Sequence, residues 1–167
     1  MKLAVGDAVV YGTHGIGRIV ARREQDVQGT FREIVVLELD EGLTVTLPLD
    51  RANEQLRPVA SKADVPRVRE TLREDRRLSF EPWLSRRRET MEKLSAGTLD
   101  GLAEIVSEGA QRERIRLANG GTSGLPTAER DVFVKARGLL SGEIALALSL
   151  QAAAADDWIE KQLARPD

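Results

Sequence analysis

The apolar positions of this chain follow two different periods. Up to about Leu56 they fall in short runs rich in β-branched residues: Ala8–Tyr11, Ile16–Val20, Ile34–Leu39 and Leu43–Leu47. Runs of this kind, bounded by Gly and Asp clusters, predict strands. Gly6, Gly12, Gly15 and Gly17 provide freedom for turns and bends, and Asp40, Glu41 and Gly42 predict a hairpin turn between two of the strands. The spacing predicts a small antiparallel β-barrel over residues 1–57, with the modest core that so short a domain can bury.

After Pro58 the period becomes helical. Val65, Val68 and Leu72 recur at intervals of three and four, as do Leu84, Met91 and Leu94, then Leu99, Leu102, Ile105 and Val106, then Val132, Ala136, Leu139 and Leu140, then Ile144 and Leu148. Gly97 stands where a C-terminal cap would, Asn119 to Gly124 has loop composition, and Pro126 or Thr127 restarts a helix. The stripes predict about five helices packed as a compact all-α bundle. The Ala-rich Gln151–Ala155 stretch reads as helix or frayed linker ahead of a short tail with Trp158. The expected organisation is α+β in two domains, with residues 58–63 linking the barrel to a helical domain over 64–167.

Composition narrows the function. The chain has 167 residues, 41% of them hydrophobic, which supports folded cores. It has no cysteine, which removes disulfides, thiolate metal sites and thiol nucleophiles. The N-terminus lacks the apolar core of a signal peptide, and no apolar run reaches membrane-spanning length, so a cytoplasmic protein without a membrane partner is expected. The single histidine, His14, sits in a Gly-rich turn, where it reads as a turn residue. The glycines of GTHGIG lie between two predicted strands, whereas a phosphate cradle needs a helix N-terminus after them. Acids alternate with arginines, as on solvated helix faces. No nucleophile, metal set or cofactor site emerges; a non-enzymatic protein without a cofactor is expected.

The net charge of −2 conceals a basic segment. Between residues 67 and 88, Arg67, Arg69, Arg73, Arg76, Arg77, Arg86, Arg87 and Arg88 outnumber Glu70, Glu74, Asp75 and Glu81. Such a segment is either a solvated face of paired charges or a patch that attracts phosphates. Within it stands Trp83, one of the two tryptophans, following a proline suited to the first helical position. Leu84, Met91 and Leu94 are expected to pack inward, which puts Trp83, Arg86 and Thr90 on the border of the apolar face. A border position suits burial among core residues or presentation to a partner. In the second case an apolar plate flanked by arginines can enter a minor groove and lean on a base step while the cations hold phosphates.

The order of these features resembles the CarD family of bacterial transcription regulators, the group that includes CdnL proteins. The resemblance runs through VGDAVVYGTHGIGRIV, FREIVVLEL, LTVTLPL, PWLSRRRETMEKLSAG and GLPTAERDVFVKARGLLSGEIALAL, nearly the whole chain. It implies an N-terminal Tudor-like barrel, similar to the RNA-polymerase-interacting module of transcription-repair coupling factor, joined to a helical DNA-binding domain. The implied partners are the RNA polymerase β subunit and promoter DNA, in the minor groove at the upstream fork of the −10 region, with the chain acting as a monomer and associated with the nucleoid through the polymerase. Trp83 matches the family's wedge residue. Arg86, Arg87 and Arg88 follow it as DNA-binding positions, and Lys135, or the segment from Arg112 to Arg114, matches the basic contact beyond the loop. Arg22, Arg23, Gln25, Val45, Thr46 and Leu47 are the implied polymerase-binding positions. Relatives carry arginines where this chain has Gln25 and Thr46, so the contact falls to Arg22 and Arg23 or to edge-strand pairing through Val45–Leu47, which equally reads as an ordinary core strand. The alternative is an adaptor that docks RNA polymerase and a second protein without binding DNA.

Overall fold

A computed structural model describes residues 2–121 and 124–164. The chain divides between Val59 and Ala60 into two compact units, inside the stretch expected to link them. Part of the Asn119–Gly124 loop, residues 122 and 123, lies outside the described residues, as do 165–167.

The first unit is an antiparallel sheet of β1 (Ala8–Tyr11), β2 (Ile16–Val27), β3 (Thr30–Leu39), β4 (Thr44–Pro48) and β5 (Leu56–Pro58), in the order β4-β3-β2-β1-β5. The strands β4 and β5 are its two edges, so the sheet is open and does not close into the expected barrel. A helix α1 (Leu49–Gln55), which the polar sequence LDRANEQ did not announce, packs against β3, β4 and β5 and buries Ala52 fully. The core beneath it gathers Leu3, Val9, Ile19, Val35, Leu37, Leu47 and Leu56. The turn at Asp40–Gly42 forms where expected, as a single 3-10 turn joining β3 to β4.

Both long strands outrun their apolar runs. β2 and β3 continue past the core as a ribbon in which Gln25 pairs with Arg32 and Val27 with Thr30. Gln28 and Gly29 close it with φ values of 55° and 84°, the pair of left-handed residues that a two-residue turn matching strand twist requires. Its residues are exposed, so no alternation of apolar and polar positions marks them in the sequence.

The second unit holds α2 (Val65–Arg73), α3 (Trp83–Ala96), α4 (Leu99–Ala118), α5 (Thr127–Leu148) and α6 (Ala152–Leu163). A capping box between Ser61 and Asp64 leads into α2, and Thr98 caps α4 by accepting from the Gly101 amide at 3.0 Å. Gly97 ends α3 in the left-handed conformation, φ 62°. α4 packs on α2, α3 and α5, while α6 packs on α2 and α5. Val68, Ala103, Val106, Ala136, Leu140, Ile144, Ala155 and Ile159 are completely buried between them. Glu143 is buried in this core, where its carboxylate accepts from the Ala60 amide at 3.1 Å. The Ala-rich stretch and Trp158 belong to α6, not to a tail: Ala155, Ile159 and Leu163 are buried, and Trp158 packs against the core with the Arg69 guanidinium 5.9 Å from its ring centre.

One stripe departs from expectation. Leu84 is 84% exposed, and among the described residues of α3 full burial comes only at Leu94. The helix is rotated so that Trp83, Arg86 and Thr90 face α4 and α5. The physical reason is an acidic side chain on α5 that draws Arg86 inward, described next.

Candidate nucleic-acid interface

Residues 74–82 connect α2 to α3 without regular structure, yet side chains tie them down. The Gln111 side chain of α4 accepts from the Arg76 amide at 3.2 Å and donates to the Arg76 carbonyl at 2.9 Å. Arg112 donates to the Ser79 carbonyl at 2.9 Å, and Arg86 to the Glu81 carbonyl at 2.9 Å. Backbone carbonyls that a loop would otherwise leave to water are thereby satisfied by α4 and α3. The result is a groove of about 590 Å³ with arginines and apolar side chains around it: Arg76, Arg77, Arg112 and Arg116 beside Leu78, Phe80, Trp83, Ile115 and Leu125.

Trp83 stands in the wall of this groove at the first residue of α3. Its residue is half-buried. The indole Nε1 is shielded from solvent with no hydrogen-bond acceptor, a state that costs about 1–3 kcal/mol for a buried donor. The ring also borders a small open pocket of about 20 Å³ shared with Thr90, Ile105, Gly109, Val132 and Phe133. The Arg86 guanidinium lies 5.5 Å from the ring centre, within cation–π range.

The three consecutive arginines have three environments. Arg86 is built into the protein, its side chain 13% exposed and its Nη2 2.9 Å from Oε1 of Glu129, itself 9% exposed. Arg112 also leans on this carboxylate at 4.0 Å while donating to Glu108 at 2.7 Å. Arg87 is exposed, and Arg88 is 91% exposed with only a surface pair to Glu92 at 3.2 Å. Leu84 lies beside them, with Met91 and Ser95 further along the same outer face. Lys135 and Arg114 are exposed, whereas Arg112 is 12% exposed. The exposed cations near Trp83 are Arg77 in the groove and Arg87 and Arg88 on α3, Arg88 in a surface pair with Glu92, and Arg86 is engaged in holding the site. Two residues that carry the arrangement, Glu129 and Gln111, escape a sequence reading because their partners lie 43 and 35 positions away. Phe80, fully exposed in the loop, had a signal: a lone aromatic in a polar stretch without periodicity.

In the first unit, β4 pairs with β3 along one side only, so the other side of Thr44–Pro48 is a free edge. Thr46 is exposed on it, Val45 packs partly against the core, and Leu47 is buried. Arg23 and Gln25 are exposed on the ribbon. Arg22 is tied to Glu33 and to the Leu3 carbonyl and so braces the sheet. His14 stacks on Tyr11 with ring centres 5.1 Å apart.

Comparison with known families agrees with this division. Residues 3–60 match the CarD-like/TRCF RID domain and residues 67–160 match the CarD, C-terminal domain. The chain belongs to the CarD family. The two domains make it an RNA polymerase-interacting transcription factor of a regulatory, non-enzymatic family. Among the described residues no cluster of His, Asp and Glu suits a metal ion, and no single helix is long and apolar enough to cross a membrane.

Proposed function

We propose that this CarD-family chain binds the RNA polymerase β subunit through its N-terminal sheet and promoter DNA through its helical unit, and stabilises the open complex by wedging Trp83 into the minor groove at the upstream edge of the melted −10 region. The observation that carries the reading is the start of α3, where a half-buried tryptophan lines a groove with the exposed Arg77, and the exposed cations Arg87 and Arg88 follow on the same helix. An apolar plate of this kind leans on a base step while adjacent guanidiniums hold phosphates. The free edge of β4 supports docking by strand addition, with Thr46 on the exposed edge and backbone groups supplying the hydrogen bonds.

Tethering to the polymerase raises the local concentration of the helical unit at the promoter, so weak, sequence-independent contacts suffice. A tenfold shift towards melted DNA needs a differential affinity of about 1.4 kcal/mol, within reach of one stacked aromatic and two phosphate contacts. The chain acts as a monomer in this scheme. The test is the lifetime of open promoter complexes formed by the cognate RNA polymerase. The protein is expected to lengthen it and the Trp83→Ala variant to lose that effect while still binding polymerase; equal effects from both would overturn the wedge.

A second reading, an adaptor that docks polymerase and another protein, draws on the exposed Phe80 and Leu84 beside the groove. It requires the purified chain to show no affinity for duplex or forked DNA at low salt.

A further inference from the structure

Trp83 does not hold its attitude by packing alone. Its ring borders two open pockets, and its N–H has no acceptor. The Arg86 guanidinium lies over the ring, 5.5 Å from its centre. Two hydrogen bonds fix that guanidinium in a known direction: Nε donates to the Glu81 carbonyl at 2.9 Å and Nη2 to the Glu129 carboxylate at 2.9 Å. The first partner is five residues back along the same segment and moves with it. The second comes from another helix, near the start of α5, and is buried.

We infer that Glu129 is a positioning residue for Trp83: through Arg86 it anchors the indole of α3 to α5 and sets how far the ring is presented from the groove. The reasoning is electrostatic and geometric. A carboxylate at 9% exposure is strongly disfavoured without a cation, and Arg86, with Arg112 at 4.0 Å as a weaker second, supplies it. The planar fork of the guanidinium, once held at two points, has one orientation, and its central carbon lies over the indole ring. The same pair explains why α3 is rotated to leave Leu84 in solvent. It also gives the consecutive arginines different tasks, Arg86 holding the plate while Arg87 and Arg88 remain exposed. The inference deepens the wedge reading and rests on it for its functional consequence, but its structural content is independent of DNA.

The experiment uses the full chain carrying Trp158→Phe, so that Trp83 is the sole tryptophan. Emission maximum and acrylamide quenching are measured with and without Glu129→Ala, below the thermal transition of each protein, beside open-complex lifetimes with the cognate RNA polymerase. The expected result is a shifted emission maximum, altered quenching, and an open-complex lifetime that falls to the value given by Trp83→Ala. Should Glu129→Ala fail to fold, the paired Arg86→Met/Glu129→Leu variant fills the same space without charge and carries the same readouts. Unchanged emission and quenching in a folded variant would overturn the inference, since a merely structural role lowers the melting temperature without moving the indole. If emission shifts while both this variant and Trp83→Ala keep the full effect on lifetime, the positioning role stands and the wedge reading is what fails.

Discussion

Two faces of one helix separate the structural from the available. The inner face of α3 presents Trp83, Arg86, Thr90 and Leu94 to α4 and α5, while the outer face presents Leu84, Arg87 and Arg88 to solvent, with Met91 on the border, partly buried against the core as expected. By residue type each face holds an apolar group beside arginine, and a sequence cannot tell them apart. The difference lies in what stands opposite. Glu129 meets the inner face and turns a surface residue type into a buried one, whereas on the outer face Arg88 meets Glu92, four residues along the same helix and 67% exposed. A run of three arginines is therefore one brace and two exposed cations.

The largest effect that sharpens this contrast is expected from Arg86→Ala. Leaving Glu129 buried without its partner should cost about 3–5 kcal/mol, less whatever Arg112 recovers. Urea unfolding measures it, and a loss no greater than that of Arg88→Ala would dissolve the distinction between the faces. Next comes the surface behind the inner face. A methyl group at Gly109 would run into the Phe133 ring, so Gly109→Ala should destabilise by about 1–3 kcal/mol through overpacking, seen as a lower melting temperature.

The outer face should behave in the opposite sense. Arg87→Ala and Arg88→Ala are expected to leave stability within about 0.5 kcal/mol, as surface substitutions do. If these cations meet phosphates, each should lower the slope of log affinity for forked DNA against log salt by about 0.9. Titrations by fluorescence anisotropy at several salt concentrations decide this, and an unchanged slope would remove the outer face from the interface. The smallest effect is that of Leu84→Ser, which exchanges a side chain already 84% in water and should leave the urea midpoint where it was. A marked drop would mean that Leu84 is packed after all.

The helical unit was largely legible because its signals are local. The helices over the first three stripes are present, the last two stripes form the single helix α5, α6 takes the place of the expected tail, Gly97 caps where it was expected to, and the stripes of α2, α4 and α5 are buried. The sheet was legible only where it is buried on the core side. The outer ribbon of β2 and β3 carries polar residues on both faces and so has no period, and its turn at Gln28-Gly29 went without a signal in the reading. Closure was misjudged because whether the end strands meet depends on pairing between distant segments, and α1 and the short β5 occupy the far end of this unit instead. At the candidate site, Trp83 and the basic run were visible, but the inward stripe was assigned to Leu84 because apolar residues normally outrank arginine for burial.

What the amino-acid sequence determined by itself was the division into a β-rich and a helical unit, the breaks between helices, the family, and the placing of an aromatic within a basic segment. Each depends on residues within a few positions of one another, through backbone preference and side-chain period. What the tertiary structure alone decided was the open edge at β4, the rotation of α3, and which arginine is spent on the fold. Those follow from groups brought together across the chain, above all a buried carboxylate at position 129 paired at 2.9 Å with a guanidinium 43 residues earlier. Burial of charge is settled by its partner, and the partner is supplied by the fold.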